Sequence, residues 1–238
     1  MILYYVRHGD PIYDPDQLTE LGKRQAEAVG RRLSQYGLDE IYVSSSERAK
    51  QTAAPTLEIL KKEAVVLDWT NEKYAWEQLS VPLGDGRRMW AFAVPETRKL
   101  FASEELARYR FEWYRHPAVQ DLPFEAGIKR IQEETWAFLK EQGLIFDPER
   151  GGFTEVFPNE KRIALFAHQG FGLAFLSVLA NIPYPQFSVH FDMSHSDFTV
   201  IEFQKIDDLV VPRILTLSND AHLYREGLPT KYNNRIYI

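Results

Sequence analysis

The 238-residue chain contains no cysteine. Disulfides and thiolate-based metal sites are thereby excluded. No uninterrupted apolar run approaches the length that spans a bilayer. No lysine- or arginine-rich run is present, and the formal net charge is −6. Neither nucleic acid nor an anionic membrane is therefore expected as a partner, and an anion site would have to be a local cationic pocket. There is no internal repeat and no low-complexity tract. No charged segment precedes an apolar stretch with a small-residue cleavage site. A signal peptide is not expected, and a cytoplasmic location is. What remains is ordinary globular composition, 45% hydrophobic and 26% charged. That length and composition suit one large domain with a sizeable core.

Short apolar runs bounded by turn residues are read as buried strands at 2–6, 40–43, 64–67 and 162–167. Residues 197–203 and 210–217 read as two further strands, an antiparallel pair. Thr19 is placed to cap a helix that Gly37 ends. One of Ser44, Ser45 and Ser46 caps a second helix over about 47–61. Residues 69–94 read as irregular, 96–115 as helical and 125–142 as a helix with Ile128, Ile131, Trp136 and Leu139 inward. A loop follows, with a hairpin around Gly151-Gly152. A last helix runs from His168 to about Ala180. Strands alternating with helices predict an α/β fold: a three-layer sandwich, mostly parallel, with helices on both faces. Residues 80–123 break the rhythm and read as an inserted helical cap within a single domain spanning 1–238. The cap's aromatics, from Trp90 to Tyr114, are read first as its small core.

Three strand ends carry the polar chemistry. Arg7-His8-Gly9 follows the first strand, the Ser44–Ala53 segment with Arg48 follows the second, and His168-Gln169-Gly170 follows the strand at 162–167. Ligands of open α/β sheets bind outside the carboxyl ends of the strands. A phosphoryl group spreads its charge over three oxygens, and arginine presents a planar fork of donors to such a group. A neutral imidazole has a lone pair able to attack phosphorus, provided its other nitrogen is held by an acceptor such as the Gly9 carbonyl. A leaving alkoxide also needs a carboxylic acid nearby. No metal or other cofactor is expected, because two arginines would repel a dication and no further ligand spacing accompanies the histidines.

These motifs resemble the histidine phosphatase superfamily, in its phosphoglycerate mutase-like branch. The resemblance covers roughly 1–78 and 160–225. It includes Arg7-His8-Gly9, Leu18-Thr19-x-x-Gly22-x-x-Gln25-Ala26, Ser44-x-x-x-Arg48-Ala49-x-Gln51-Thr52-Ala53, His168 after an apolar strand, and Asn219-Asp220-Ala221-His222-Leu223. It implies a phosphoric monoester hydrolase with His8 as the phosphorylated nucleophile. Arg7, Arg48 and His168 would bind the phosphoryl group. Glu72 aligns with the family's acid, and Glu77 is its rival. Asp14 stands where the mutase branch often has asparagine. The implied ligand is a small phosphorylated substrate. Phosphoglycerate mutase-type transfer and a non-catalytic phospholigand-binding domain are the competing readings. His195 is assigned to a loop, His116 and His190 to surface or structural roles, and His222 to packing.

Overall fold

A computed structural model describes residues 1–233. In chain order its elements are β1 (Ile2–Arg7), α1 (Glu20–Leu33), β2 (Glu40–Ser44), α2 (Glu47–Leu60), β3 (Val65–Leu67), α3 (Glu72–Leu79), β4 (Ser80–Pro82), β5 (Arg88–Trp90), α4 (Pro95–Phe101), α5 (Glu104–Ala107), α6 (Phe124–Glu141), β6 (Leu144–Asp147), β7 (Gly152–Glu155), β8 (Arg162–Ala167), α7 (Gln169–Leu179), α8 (Tyr184–His190), β9 (Phe198–Ile206), β10 (Leu209–Asn219) and α9 (Ala221–Arg225). The fold is α/β. The chain forms two compact units, one of residues 1–71, 158–169 and 193 onward, the other of 72–157 and 170–192.

In the first unit the strand order is β3-β2-β8-β1-β9-β10. The β3–β2, β2–β8 and β8–β1 pairs are parallel, while β1–β9 and β9–β10 are antiparallel. The central strands are apolar throughout because both their faces are covered: Leu3, Tyr5 and Val6 of β1 and Ile163 to Phe166 of β8 are fully buried. On one face Val29 and Leu33 of α1 and Ala49 and Ala53 of α2 pack with Val6, Val43 and Phe166. Thr19 caps α1 by accepting from the Gly22 N–H, and Ser46 caps α2 by accepting from the Ala49 N–H.

The second unit is built on α6 and α7. Helix α7 is apolar all round, as a wholly buried helix should be, and Phe171, Leu173, Ala174, Phe175 and Leu176 are all buried. Phe101, Trp113, Phe124 and Tyr184 form an aromatic core, with Phe101–Trp113 centroids 5.4 Å apart and Trp113–Tyr184 centroids 5.8 Å apart. Two expectations need correcting here. The stretch at 69–94 is ordered as α3 and the β4–β5 hairpin, whose turn uses positive φ at Gly84 and Gly86. The helix expected over 96–115 is broken into α4, α5 and a 3-10 segment at Arg110–Arg115. Ser103 restarts the chain as the α5 cap, and Arg110 takes a φ of 50°. The hairpin expected around Gly151-Gly152 is formed by β6 and β7.

Candidate active site

Strand register assembles the polar groups of the first unit. In the parallel β1–β8 pair Arg7 lies opposite Ala167, so the next residues, His8 and His168, emerge side by side. The His8 N–H donates to the Ala167 carbonyl at 3.0 Å, and the two imidazole centroids are 5.3 Å apart. Phe166 pairs in turn with Val43, which brings the end of β2 alongside. Ser44 Oγ is 2.8 Å and Ser46 Oγ 3.3 Å from His168 Nε2. Arg48 follows one residue into α2, and its Nη1 donates to Asp16 Oδ1 at 2.7 Å. The Tyr13 ring lies 5.3 Å from the Arg48 guanidinium carbon.

His8 Nδ1 is 2.8 Å from the Gly9 carbonyl oxygen. An acceptor there fixes the proton on Nδ1 and leaves Nε2 with its lone pair. Gly9 is itself held, since its N–H donates to Thr52 Oγ1 at 3.0 Å, and that hydroxyl donates to the Arg48 carbonyl at 2.7 Å. A Cβ on Gly9 would come within 2.6 Å of the Gly22 carbonyl oxygen. Glycine at both positions lets the exit of β1 touch the start of α1. Gln25 completes this contact by accepting from the Asp10 N–H at 2.8 Å. The spacing Thr19, Gly22, Gln25 is therefore the geometry of one helix end pressed on the His8 loop.

Arg7 is fully buried. It donates to the Met193 carbonyl and, at 2.5 Å, to Asn233 Oδ1, while its Nε has no hydrogen-bond partner. His8 is held well below the ordinary histidine value, first by burial and then by His168, Arg7 and Arg48, against the opposing pull of the Gly9 carbonyl. Burial likewise lowers His168, helped by Arg48 and Arg7. Both imidazoles are thus neutral at neutral pH, and they stand near two guanidinium groups, of which Arg48 is paired with Asp16. The same two charges disfavour a metal dication between the histidines.

A second cluster lies behind His8. The His195 ring stacks on His8 at 5.9 Å and 28°. His195 Nδ1 is 3.4 Å from Asp10 Oδ1, which accepts from Lys231 at 2.7 Å. His195 Nε2 is 3.1 Å from Asn233 Oδ1. Burial pushes Asp10 upward, but hydrogen bonds from His195, Lys231 and Thr19 outweigh it and hold the carboxyl below its usual range. His195 is lowered to about 4, by burial and then Arg7, against the raising effect of Asp10. His195, expected in a loop, thus joins Lys231 and Asn233, which no sequence motif singles out. Only His195 carried a signal, as an imidazole just ahead of a strand. Asp14 is exposed, and Asp16 is the acid that meets Arg48.

In the second unit Glu72 opens α3 and accepts from the Gly170 N–H at 2.9 Å, two residues along the chain from His168. Glu77 is exposed five residues further on, about 140° around the helix. A Cβ on Gly170 would meet the Trp90 ring at 2.2 Å, so the indole lies directly on the first turn of α7. Trp90 is braced edge-on by Trp76 at 5.0 Å and stacked with Phe92 at 5.7 Å. Most of the insertion's aromatics do form its core, but Tyr109 and Phe111 stay 38% and 45% exposed.

Residues 3–80 match the family described as the histidine phosphatase superfamily (branch 1). No curated protein matches the chain. Among solved structures, the mycobacterial glucosyl-3-phosphoglycerate phosphatase is similar at 20% identity and TM-score 0.59, over 91% of this chain and 98% of that one. A phosphoserine phosphatase from Entamoeba histolytica is similar at 16% identity and TM-score 0.59, over 93% and 98%. A mycobacterial protein described as hydrolase 1 gives TM-score 0.61 at 18% identity, over 92% and 98%. These structural neighbours share the fold, and two of them are phosphatases by description. Residues 3–80 thus match the histidine phosphatase superfamily (branch 1), and the structural neighbours share the fold across more than nine-tenths of the chain.

Proposed function

We propose that the protein is a metal-independent phosphomonoester hydrolase working through a phosphohistidine on His8. The observation that carries this reading is the hydrogen bond from His8 Nδ1 to the Gly9 carbonyl. It leaves Nε2 unprotonated among Arg7, Arg48 and His168. Nε2 attacks phosphorus, the phosphorus–oxygen bond to the leaving group breaks, and the phosphoryl group passes to His8. Arg7 and Arg48 neutralise the three equatorial oxygens, with His168 donating to one of them. Glu72 gives its proton to the leaving oxygen. Water then attacks the phosphohistidine, Glu72 takes the water's proton, and inorganic phosphate departs. Glu72 is preferred over Glu77 because its carboxylate is anchored on the Gly170 N–H, two residues along the chain from His168, whereas Glu77 is exposed. The substrate is a small phosphorylated metabolite or an aryl phosphate. Its place of action is the cytoplasm, and it takes no nucleic acid or membrane partner.

The test is p-nitrophenyl phosphate turnover in excess EDTA, comparing the wild type with His8→Ala. Phosphate release that survives EDTA and vanishes in His8→Ala is expected, together with an acid-labile phosphoprotein trapped only in the wild type. Isomerisation of a phosphoglycerate without phosphate release would mean a mutase. Tight phosphate binding with no turnover would mean a binding domain. Either result overturns the hydrolase reading.

A further inference from the structure

Helix α7 has two ends with different surroundings. Its first turn meets Glu72 and Trp90. Its last turn borders a cavity of about 810 Å³ in the second unit, within the range of about 300–1,000 Å³ typical of small-molecule sites. Ser177 and Val178 line it, about 11 Å along the helix from Gly170 at 1.5 Å per residue. The hydrolase reading leaves this cavity without a role.

The lining is specific in chemistry. Phe111, Trp113, Tyr114, Trp136, Phe146 and Tyr184 supply aromatic walls, and Trp136 stacks on Phe146 with centroids 4.5 Å apart at 13°. The Trp136 indole N–H and the Tyr184 hydroxyl lie within the packed walls with almost no accessible surface. Tyr184 is 1% exposed. Burial raises its phenol, outweighing the nearby Ser188 hydroxyl, so it keeps its proton. At the rim Arg108 and Arg110 are exposed and make no ion pair among the described residues. Two acids also line the cavity, Glu112, engaged by Arg115 at 2.9 Å, and the exposed Glu149.

Flat aromatic walls and exposed guanidinium groups define one ligand class. We propose that this cavity is a second binding site, for a planar aromatic anion of small-molecule size, separate from the phosphoryl site. The inference stands independently of the hydrolase reading.

The test is a titration of the intact protein with 2-naphthoate, followed on the indole N–H resonances of the five tryptophans. Trp136→Phe identifies its own resonance. A saturable shift of the Trp136 signal is expected, unaffected by saturating inorganic phosphate. Trp136→Phe should weaken binding by about fivefold through the smaller aromatic wall, measured by calorimetry. The exposed pair Arg108→Ala and Arg110→Ala should weaken 2-naphthoate by about fivefold and leave the neutral 2-naphthalenemethanol unchanged. This surface variant keeps the test open if Trp136→Phe fails to fold. The proposal is overturned if the Trp136 signal does not move up to the solubility limit. Displacement by phosphate, or equal binding of the non-planar decahydro-2-naphthoate, would overturn it too.

Discussion

Asp197 offers a prediction whose size follows from its surroundings. The residue is fully buried at the start of β9. Its carbonyl accepts from the Arg7 N–H at 3.1 Å, Oδ2 accepts from the Ser218 hydroxyl, and Oδ1 has no hydrogen-bond partner among the described residues. Burial pushes the carboxyl up to about 7, more than Ser218 and the Arg7 charge can offset. An unfolded aspartate titrates near 3.9. Between these values the native state holds a proton that the unfolded chain has released, so stability falls as pH rises through the window and the loss is complete above about 7. The full effect is about 4 kcal/mol, of which about 3 kcal/mol falls between pH 5 and pH 8. Asp197→Asn keeps the shape and the acceptor for Ser218 but cannot ionise. Urea unfolding of both proteins at pH 5 and pH 8 should show the wild type losing about 3 kcal/mol more than the variant over that interval. If the two pH dependences agree within about 1 kcal/mol, a difference near the extrapolation error, the carboxyl is not held protonated and the burial argument fails.

Three further outcomes follow from the site. Gly170→Ala must displace the Trp90 indole, because the added Cβ would sit 2.2 Å from it; a loss of about 1–3 kcal/mol and a change in tryptophan emission are expected, and an unchanged spectrum would show that the indole is not packed there. Thr52→Val removes the acceptor for the buried Gly9 N–H, so it should cost about 1–3 kcal/mol in urea unfolding and lower kcat on p-nitrophenyl phosphate by loosening the carbonyl that orients His8. Because His8 is held well below the ordinary histidine value, the acid limb of kcat/KM should lie below pH 6.5; a limb at or above that value would contradict the neutral nucleophile. The sign is fixed by the charge states, since only protonation of His8 removes the lone pair and its neighbours oppose that protonation.

Local features were legible and long-range ones were not. The strand 2–7 announces itself by an apolar run that ends in Arg7, and the caps at Thr19 and Ser46 follow from side-chain chemistry alone. The register that sets Arg7 opposite Ala167 depends on pairing across 160 residues, which no local pattern encodes. Helix α3 escaped notice because only Ala75 and Leu79 of its eight residues are buried, too few to mark a period. The run 96–115 has helical composition throughout, yet Ser103 serves as a cap and Arg110 adopts a left-handed backbone. The Asp10–His195–Lys231–Asn233 cluster joins three distant segments, so no local pattern in the sequence brings these residues together.

The placement of β1 also sets a problem of timing. Its two neighbours in the sheet, β8 and β9, begin at Arg162 and Phe198. At about 5–20 residues per second a ribosome needs roughly 8–30 s to reach β8 after finishing β1. Throughout that interval an apolar strand has both edges open, a state prone to pairing with other chains. Closing so long a loop is also entropically slow compared with forming the local helices. The nascent chain therefore depends on something to shelter residues 2–7 until residue 167 has emerged, and slowed translation across 80–160 should raise aggregation without altering the stability of the finished protein.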